Sequence, residues 1–284
     1  MPCSKQIKTI LNEFSGRLVK VSDTARLDAQ MLVGHVLEKP RTWVLAHPEA
    51  SVSHKERMRM ERLAHRVETG EPLPYVLGRW EFYGFELIVT PDTLIPRPET
   101  ELLIEYALSW LEKNPAHRFA ADVGTGSGCI TVALAAHVHD INFISSDISF
   151  AALKIARQNL GNHKVEKQVD LVQADLLAPF QKPFDLICAN LPYIPTQALK
   201  TLKIYGREPS LALDGGSQGL DLIQKLLLQS QDRLSRGGLL LMEIEASQGK
   251  AVLSLAQKTF RGSQVQIKSD LAGRDRLIAI QKGA

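Results

Sequence analysis

The sequence of 284 residues predicts an α/β protein with a seven-stranded sheet, a small helical N-terminal domain and a β-hairpin between them. From residue 118 onward, apolar segments of strand length alternate with helical segments, which is typical of a parallel sheet with helices on both faces. The last two strand segments are separated by LAGRDR, which is too short for a helical crossover, so the last strand is expected to run antiparallel. The first 70 or so residues instead place apolar side chains at helical spacing.

Three regions follow from this order. Residues 1–75 are predicted to form the helical domain, which Gly and Pro residues end. Residues 76–97 are predicted to be a hairpin linker, because WEFYGFELIVT combines aromatic and β-branched residues around a central glycine. Residues 98–284 are predicted to form the sheet domain. Its strands are expected at 118–123, 141–146, 169–173, 184–189, 238–244, 264–268 and 276–280, and its helices at 128–138, 149–160, 219–235 and 247–259.

Composition and charge exclude several classes of protein. No stretch approaches about 18 uncharged apolar residues, and the start lacks the apolar core of a secretory signal, so we expect a soluble cytoplasmic protein without membrane contact. Cys3, Cys129 and Cys188 are odd in number and form no CxxC pair, so we expect neither disulfides nor a zinc site. The net charge is only +3, and the basic residues within 55–66 alternate with glutamates, which favours a solvated helix face over a nucleic-acid surface.

A glycine-rich loop indicates a cofactor that contains a nucleotide. Gly124, Thr125, Gly126, Ser127 and Gly128 directly follow a predicted strand and precede a predicted helix. Glycines let the backbone turn tightly and approach a ligand, and a helix N-terminus offers free N–H groups. The spacing is GxGxG and therefore differs from the GxGxxG dinucleotide fingerprint.

Two acidic residues end the next two predicted strands. Asp147 lies where a carboxylate can accept hydrogen bonds from both hydroxyls of a ribose. Alternatively, Asp147 caps the next helix, for which Ser149 is an equally good cap. Asp175 either meets the edge of the adenine or forms a turn at the end of its strand. We predict that both carboxylates contribute to the cofactor site.

The segment Asn190-Leu191-Pro192-Tyr193 ends the apolar strand PFDLICA at the sheet edge where open α/β sheets bind ligands. The Asn190 side-chain oxygen and the Leu191 carbonyl can accept both hydrogens of an NH2 group, and the Tyr193 ring can stack on a planar amide. An amide nitrogen is a poor nucleophile, so orienting it towards an activated methyl group is the main task. Asn190, Pro192 and Tyr193 are the predicted catalytic residues, Asn190 also faces the cofactor, and no metal is required.

The set of motifs resembles the bacterial family of release factor glutamine N5-methyltransferases. The resemblance implies a Rossmann-like methyltransferase domain with S-adenosylmethionine as cofactor, the glutamine of a release-factor GGQ loop as substrate, and an N-terminal domain that grips the release factor. It also implies that Gly124 to Gly128 and Asp147 bind the cofactor, while Asn190 to Tyr193 hold the glutamine. The matching segments are EPLPYVLGRWEFYGFEL at 71–87, TLIPRPETELL at 93–103, DVGTGSG at 122–128, DIS at 147–149, FDLICANLPYIP at 184–195, REPSLALDGGSQGLD at 207–221 and GRDR at 273–276.

The chain departs from the family pattern at two places. Leu191 replaces the first proline of the usual Asn-Pro-Pro-Tyr, and we expect a less rigid segment that keeps its activity, because the residue before a proline still favours extended angles. Glu243-Ile-Glu245 replaces the more common Glu-x-Gly, and the sequence assigns no function to Glu245. Arg97 either reaches the cofactor carboxylate or lies on a loop surface, and the loop at 208–216 either shapes the substrate channel or forms simple turns.

Two other functions stay open on the sequence. An adenine-N6 methyltransferase acting on DNA or RNA would present an exocyclic amine to Asn-x-Pro-Tyr in much the same geometry. Against it, the near-neutral part after residue 80 lacks the basic groove that phosphates require. The second is a binding protein of the translation machinery that retains little catalysis.

Overall fold

The computed structural model describes residues 5–283 and divides the chain into two compact units, with the boundary between Arg79 and Trp80. Cys3 lies outside the described residues, whereas Cys129 and Cys188 are both free cysteines. Among residues 5–283, no helix combines the length and apolar character needed to cross a membrane.

The N-terminal unit is helical, as the sequence predicted, with one short strand pair in addition. Its longest helix begins with a capping box, in which the Ser53 hydroxyl accepts from the Glu56 N–H and the Glu56 carboxylate accepts from the Ser53 N–H. The helices bury one apolar cluster that includes Phe14, Leu32 and Met60. In chain order the elements are β1 Lys5–Gln6, α1 Ile7–Leu18, α2 Ala25–Leu37, α3 Arg41–Ala46, β2 Ser51–Val52, α4 His54–Glu68 and α5 Leu73–Leu77, with β1 and β2 antiparallel.

The predicted hairpin consists of β3 Arg79–Phe82 and β4 Phe85–Ile88. Its two-residue loop places Tyr83 at φ 51° and Gly84 at φ 79°. Positive φ at both central residues belongs to the turn that matches the twist of paired strands. Gly84 therefore supplies the positive φ that this two-residue turn requires.

The remaining chain forms the predicted seven-stranded sheet. Along the sheet the order is β10-β11-β9-β8-β5-β6-β7, and β11 is antiparallel to both of its neighbours while the other pairs are parallel. The prediction of a reversed last strand is thus confirmed. The elements are α6 Glu101–Lys113, β5 Phe119–Val123, α7 Cys129–His137, β6 Asn142–Asp147, α8 Phe150–Asn162, β7 Val169–Gln173, β8 Phe184–Ala189, α9 Thr196–Leu199, α10 Asp221–Arg233, β9 Leu234–Glu243, α11 Gly249–Thr259, β10 Gln264–Ser269 and β11 Asp275–Gln281.

The central strands are buried on both faces, which explains their continuous apolar runs. Along β8, Leu186 and Cys188 belong to one core cluster with α6 and α7, while Ile187 and Ala189 belong to the other with α10 and α11. The strand order reverses at β5, whose neighbours are β6 and β8. A reversal of this kind opens a crevice at the carboxyl ends of the strands, where α/β sheets bind ligands.

Candidate active site

A cavity lies at this crevice and brings together most of the residues predicted from sequence. The loops after β5, β6, β7 and β8 contribute to its wall, as does the segment before α6. A smaller cavity, whose lining includes Arg97 and Tyr193, shares Asn190, Leu191 and Pro192 with it. Gly128 lines neither cavity. The predicted residues in the wall of the larger cavity are Gly124, Thr125, Gly126, Ser127, Asp147, Asp175, Asn190, Leu191 and Pro192.

The glycine loop adopts backbone angles that only glycine takes without strain. Gly124, Gly126 and Gly128 have φ values of 74°, 56° and 81°. A Cβ on Gly124 would lie 3.0 Å from Leu191 Cδ2, and one on Gly128 would lie 3.3 Å from Ala156 Cβ. For a Cβ on Gly126, no atom of residues 5–283 lies within 4 Å, apart from its chain neighbours. Gly126 therefore leaves open space at the cavity wall, and this space suits a ligand that contacts the backbone.

Asp122 fixes the start of this loop from inside the protein. Its Oδ2 accepts hydrogen bonds from Thr125 Oγ1 at 2.6 Å and from Thr131 Oγ1 at 2.7 Å. Complete burial raises the pKa of this carboxyl to about 6, although the two hydroxyls oppose the shift. Asp122 therefore ties the second residue of the loop, Thr125, to β5, and it ties α7 to the same strand through Thr131.

Asp147 connects the glycine loop to the end of β6. Its Oδ2 accepts from the Gly126 N–H at 2.9 Å, and its Oδ1 accepts from the Ser149 N–H at 2.8 Å. Burial raises the pKa of this carboxyl. The cap of α8 is Ser149, whose hydroxyl accepts from the Ala152 N–H at 3.2 Å. Ser149, and not Asp147, is therefore the N-cap of α8. The Asp147 carboxylate lies in the cavity wall and has lone pairs left for a ligand.

Asp175 lies at the sharp turn that the sequence left open as one alternative, and it also faces the cavity. It lies in the cavity wall and forms an ion pair with Lys225. The next residue, Leu176, has a φ of 55°, so the chain does turn sharply where β7 has ended. Lys225 competes with a ligand for this carboxylate.

The Asn190 side chain is held by two acceptors. Its Nδ2 donates to Thr100 Oγ1 at 2.9 Å and to Glu243 Oε2 at 3.0 Å. The same Glu243 oxygen accepts from Thr100 Oγ1 at 2.6 Å, and Oε1 accepts from the Tyr193 hydroxyl at 3.2 Å. No donor among residues 5–283 is hydrogen-bonded to Asn190 Oδ1 or to the Leu191 carbonyl. Both oxygens that are predicted to accept from a substrate NH2 group are therefore available. Together with the Tyr193 ring they are called the cradle below.

A glycine-rich turn packs against the backbone just beyond Asn190. A Cβ on Gly215 would lie 2.6 Å from the Pro192 carbonyl oxygen, and one on Gly219 would lie 2.1 Å from that of Tyr193. Gln248 Nε2 completes the contact by donating to the Tyr193 carbonyl at 2.8 Å. The turn therefore packs on the Pro192 and Tyr193 backbone at the site, and it is more than a simple surface turn.

Arg97 is bound within the protein. Its Nη2 donates to the buried carboxylate of Glu208, whose other oxygen accepts from the Ile95 N–H at 3.2 Å. Pro209 and Leu211, which follow Glu208, belong to the wall of the larger cavity. Arg97 is thus half-buried and lines both cavities, and its pairing with Glu208 ties the segment before α6 to the loop after β8.

Sequence reasoning missed Thr100 and Glu243 as site residues and left the role of the loop that carries Glu208 open. The signal for Glu243 was present, since it ends β9 at the same edge at which Asn190 follows β8, and these strands are parallel neighbours. Glu245 has a local explanation: it accepts from the Ser247 N–H at 2.7 Å and caps the short helix Ala246–Gln248.

Comparison with known proteins places the chain in a family. Residues 9–78 match the family model of the PrmC N-terminal domain, and residues 99–205 match that of the methyltransferase small domain. A protein of Coxiella burnetii named release factor glutamine methyltransferase is 36% identical over 281 residues, which cover 98% of this chain and 99% of the relative. The chain belongs to the release factor glutamine methyltransferase family. Relatives of the same name from Moorella thermoacetica and Neisseria gonorrhoeae are 40% and 38% identical, over 88% and 90% of this chain and 89% and 93% of theirs.

Solved structures agree with the methyltransferase fold. A methyltransferase from Pyrococcus furiosus matches with a TM-score of 0.53 at 17% identity, over 72% of this chain and 91% of that one. A SAM-dependent methyltransferase from Agrobacterium tumefaciens matches with a TM-score of 0.51 at 14% identity, over 73% and 71% of the two chains. As a member of this methyltransferase family, the chain uses S-adenosylmethionine. The open backbone at Gly126 and the carboxylate of Asp147 fit that cofactor.

Proposed function

We propose that this protein methylates the N5 nitrogen of the glutamine in the GGQ motif of translation release factors, in the cytoplasm. The observation that carries the proposal is the orientation of Asn190, whose Nδ2 is bound to Thr100 and Glu243 while its Oδ1 remains available. The curated relatives that cover most of the chain are named for this substrate and reaction.

In the proposed reaction the protein mainly positions a weak nucleophile. S-adenosylmethionine would supply the methyl group on a positively charged sulfur. The bond from N5 to the methyl carbon would form as the bond from sulfur to that carbon breaks, S-adenosylhomocysteine would leave, and the amide nitrogen would lose one of its two protons to water. Asn190 Oδ1 and the Leu191 carbonyl accept the two N–H bonds of the glutamine amide, so the nitrogen is directed at the methyl group. Pro192 and the ring of Tyr193 flank the amide plane. Burial raises the pKa of the Tyr193 hydroxyl. The hydroxyl therefore stays protonated and donates a hydrogen bond to Glu243.

We propose Gly124 to Gly128, Asp147 and Asp175 as the cofactor-binding residues, with Asp147 as the ribose ligand. Asp147→Asn is then expected to raise the Kd for S-adenosylmethionine about 10- to 100-fold, because a hydrogen bond to a charged acceptor is lost. Titration calorimetry measures this value. Asp170→Asn, which removes an exposed carboxylate from neighbouring β7, is the charge-matched control. Equal affinities for Asp147→Asn and wild type would remove Asp147 from the site.

We also propose that residues 1–75 dock the release factor, that 76–97 link the domains and that 98–284 catalyse. Two features of the N-terminal unit support a protein partner over a nucleic acid. Arg17 pairs with Glu61 and Glu68, and Arg66 pairs with Glu71, so these two cations are already neutralised. Phosphate binding depends on unpaired cations.

The test is methyl transfer from labelled S-adenosylmethionine to a panel of purified release factor, DNA and RNA. We expect label in the release factor, and mass spectrometry of its peptides should place one added methyl group on the GGQ glutamine. A release factor whose glutamine is replaced by alanine is the control and should stay unlabelled. Methylated adenine beside an unlabelled release factor would establish the alternative function, and cofactor binding without any transfer would indicate a binding protein.

A further inference from the structure

We propose that Glu243 is a positioning residue that, together with Thr100, holds the Asn190 amide in the one orientation that presents its oxygen to the substrate. The inference rests on the proposed function, because it assigns the origin of the orientation on which that function depends. Glu243 itself is buried at the end of β9 and lines neither cavity, so it acts through Asn190 and Tyr193.

The Thr100 hydroxyl presents an acceptor to Asn190. A hydroxyl has a single hydrogen, and Thr100 directs it at Glu243 Oε2 over 2.6 Å. Only lone pairs then remain for Asn190, whose Nδ2 lies 2.9 Å away. An ionised carboxylate also offers only lone pairs. Both neighbours of the Asn190 amide are therefore acceptors, and both require its NH2 group.

The reverse orientation of the Asn190 amide is unfavourable. A rotated amide would place Oδ1 where Nδ2 now lies, 3.0 Å from Glu243 Oε2, so two acceptors would face each other in a buried site. It would also turn the Asn190 NH2 towards the cavity, where it would meet the NH2 of the incoming glutamine as a second donor. The proposed reaction fails in this orientation, because no side-chain oxygen remains to direct the substrate nitrogen.

The Glu243 carboxylate also aligns Tyr193, the aromatic residue of the cradle. Glu243 Oε1 accepts from the Tyr193 hydroxyl at 3.2 Å while Oε2 holds Asn190 and Thr100. One buried group thus fixes the amide and the aromatic ring relative to each other. Ionised Glu243 is required for all three contacts, since protonation would turn one oxygen into a donor.

The groups around Glu243 set the pH dependence that follows. Burial is the main influence and raises the pKa of this carboxyl. Glu99 before α6 raises it further, whereas Thr100, Tyr193 and Arg276 of β11 lower it. The titratable thiol of Cys129 on α7 also interacts with Glu243. The ionised form is lost as the pH falls through this raised pKa, so kcat should decline on the acidic side at a higher pH than an ordinary glutamate would give.

The experiment replaces Glu243 by Gln in the full-length enzyme and assays it with S-adenosylmethionine and release factor. A glutamine NH2 can pair with Asn190 Oδ1 and so stabilises the wrong orientation. We expect kcat to fall about 100-fold, the Kd for S-adenosylmethionine to stay within about twofold, and the acidic decline of kcat to disappear. Glu245→Gln, which changes a capping glutamate two residues away, is the matched control and should keep wild-type kcat.

A second pair of variants keeps the inference testable if Glu243→Gln fails to fold. Thr100→Val preserves shape but removes the hydroxyl, and we expect kcat to fall about tenfold; Thr100→Ser should restore it. NMR of the Asn190 side-chain NH2 needs no substrate. Its signals should change in Thr100→Val, which removes one of the two acceptors, and should match wild type in Thr100→Ser.

The outcomes separate this inference from the proposed function. A wild-type enzyme that does not methylate release factor contradicts the proposed function, and the NMR signal still decides the orientation of Asn190. If wild type is active, unchanged kcat and pH profile in folded Glu243→Gln would overturn the inference alone. Equal activities of Thr100→Val and Thr100→Ser would do the same where Glu243→Gln does not fold.

Discussion

Asn190→Ala is expected to lower kcat for release-factor methylation by about 10²- to 10³-fold, the loss that follows removal of one preorganised polar group from a catalytic site. The substitution removes the side-chain oxygen that accepts from the glutamine amide and leaves the Leu191 carbonyl as the remaining acceptor. It leaves the Asp147 carboxylate and the Gly126 backbone in place, so S-adenosylmethionine should still bind. Single-turnover transfer and titration calorimetry measure the two quantities separately.

Asn190→Asp separates hydrogen bonding from side-chain volume. Aspartate has nearly the same shape, but it replaces the Nδ2 donor by an oxygen next to Glu243 and Thr100, at the positions now spanned by contacts of 3.0 and 2.9 Å. We therefore expect Asn190→Asp to be about as inactive as Asn190→Ala. Activity near the wild-type level in either folded variant would contradict the role assigned to the Asn190 amide.

Gly219→Ala is expected to lower the free energy of unfolding more than its control, Gly262→Ala, and to reduce methyl transfer as well. Gly219 has a φ of 71°, and the added Cβ would lie 2.1 Å from the Tyr193 carbonyl oxygen. Because that oxygen is backbone, relief requires the Asn190 to Tyr193 segment to move. We expect about 1–2 kcal/mol from the left-handed backbone and about 1–3 kcal/mol from overpacking. Thermal unfolding should shift by about 2–4 °C for each kcal/mol.

Gly262→Ala is the control for this prediction. Gly262 has a similar φ of 78°, but within the described part of the chain only its own chain neighbours come within 4 Å of an added Cβ. It should lose only the stability due to the left-handed backbone and should keep wild-type kcat. If the two variants unfold at the same temperature and transfer methyl groups equally fast, the close packing of the glycine turn on the Tyr193 segment would be contradicted.

The seven strands of the sheet and the reversal of the last one could be predicted because local sequence signals mark them. LAGRDR is too short for a crossover, and it does join the two antiparallel strands β10 and β11. The glycine loop, Asp147 and Asn190 were predicted to meet because the carboxyl ends of neighbouring parallel strands share an edge. All three lie in the wall of one cavity.

The contacts that orient the site could not be predicted, since they join residues far apart in the chain. Thr100 and Glu243 are 143 residues apart, and Arg97 and Glu208 are 111 apart. The sequence presents Glu208 simply as the residue before a proline, and only the folded loop shows its carboxylate beneath Arg97. For Gly219 likewise, the sequence indicates a turn, whereas the contact with Tyr193 depends on tertiary packing.

The most direct test of the central claim is a crystal structure of the enzyme with S-adenosylhomocysteine and a glutamine-containing GGQ peptide. We predict that the side-chain nitrogen of the peptide glutamine lies within about 2.7–3.2 Å of both Asn190 Oδ1 and the Leu191 carbonyl, with its lone-pair direction towards the cofactor sulfur. A glutamine nitrogen bound by neither oxygen, or an Asn190 amide that turns its NH2 to the peptide, would contradict the account.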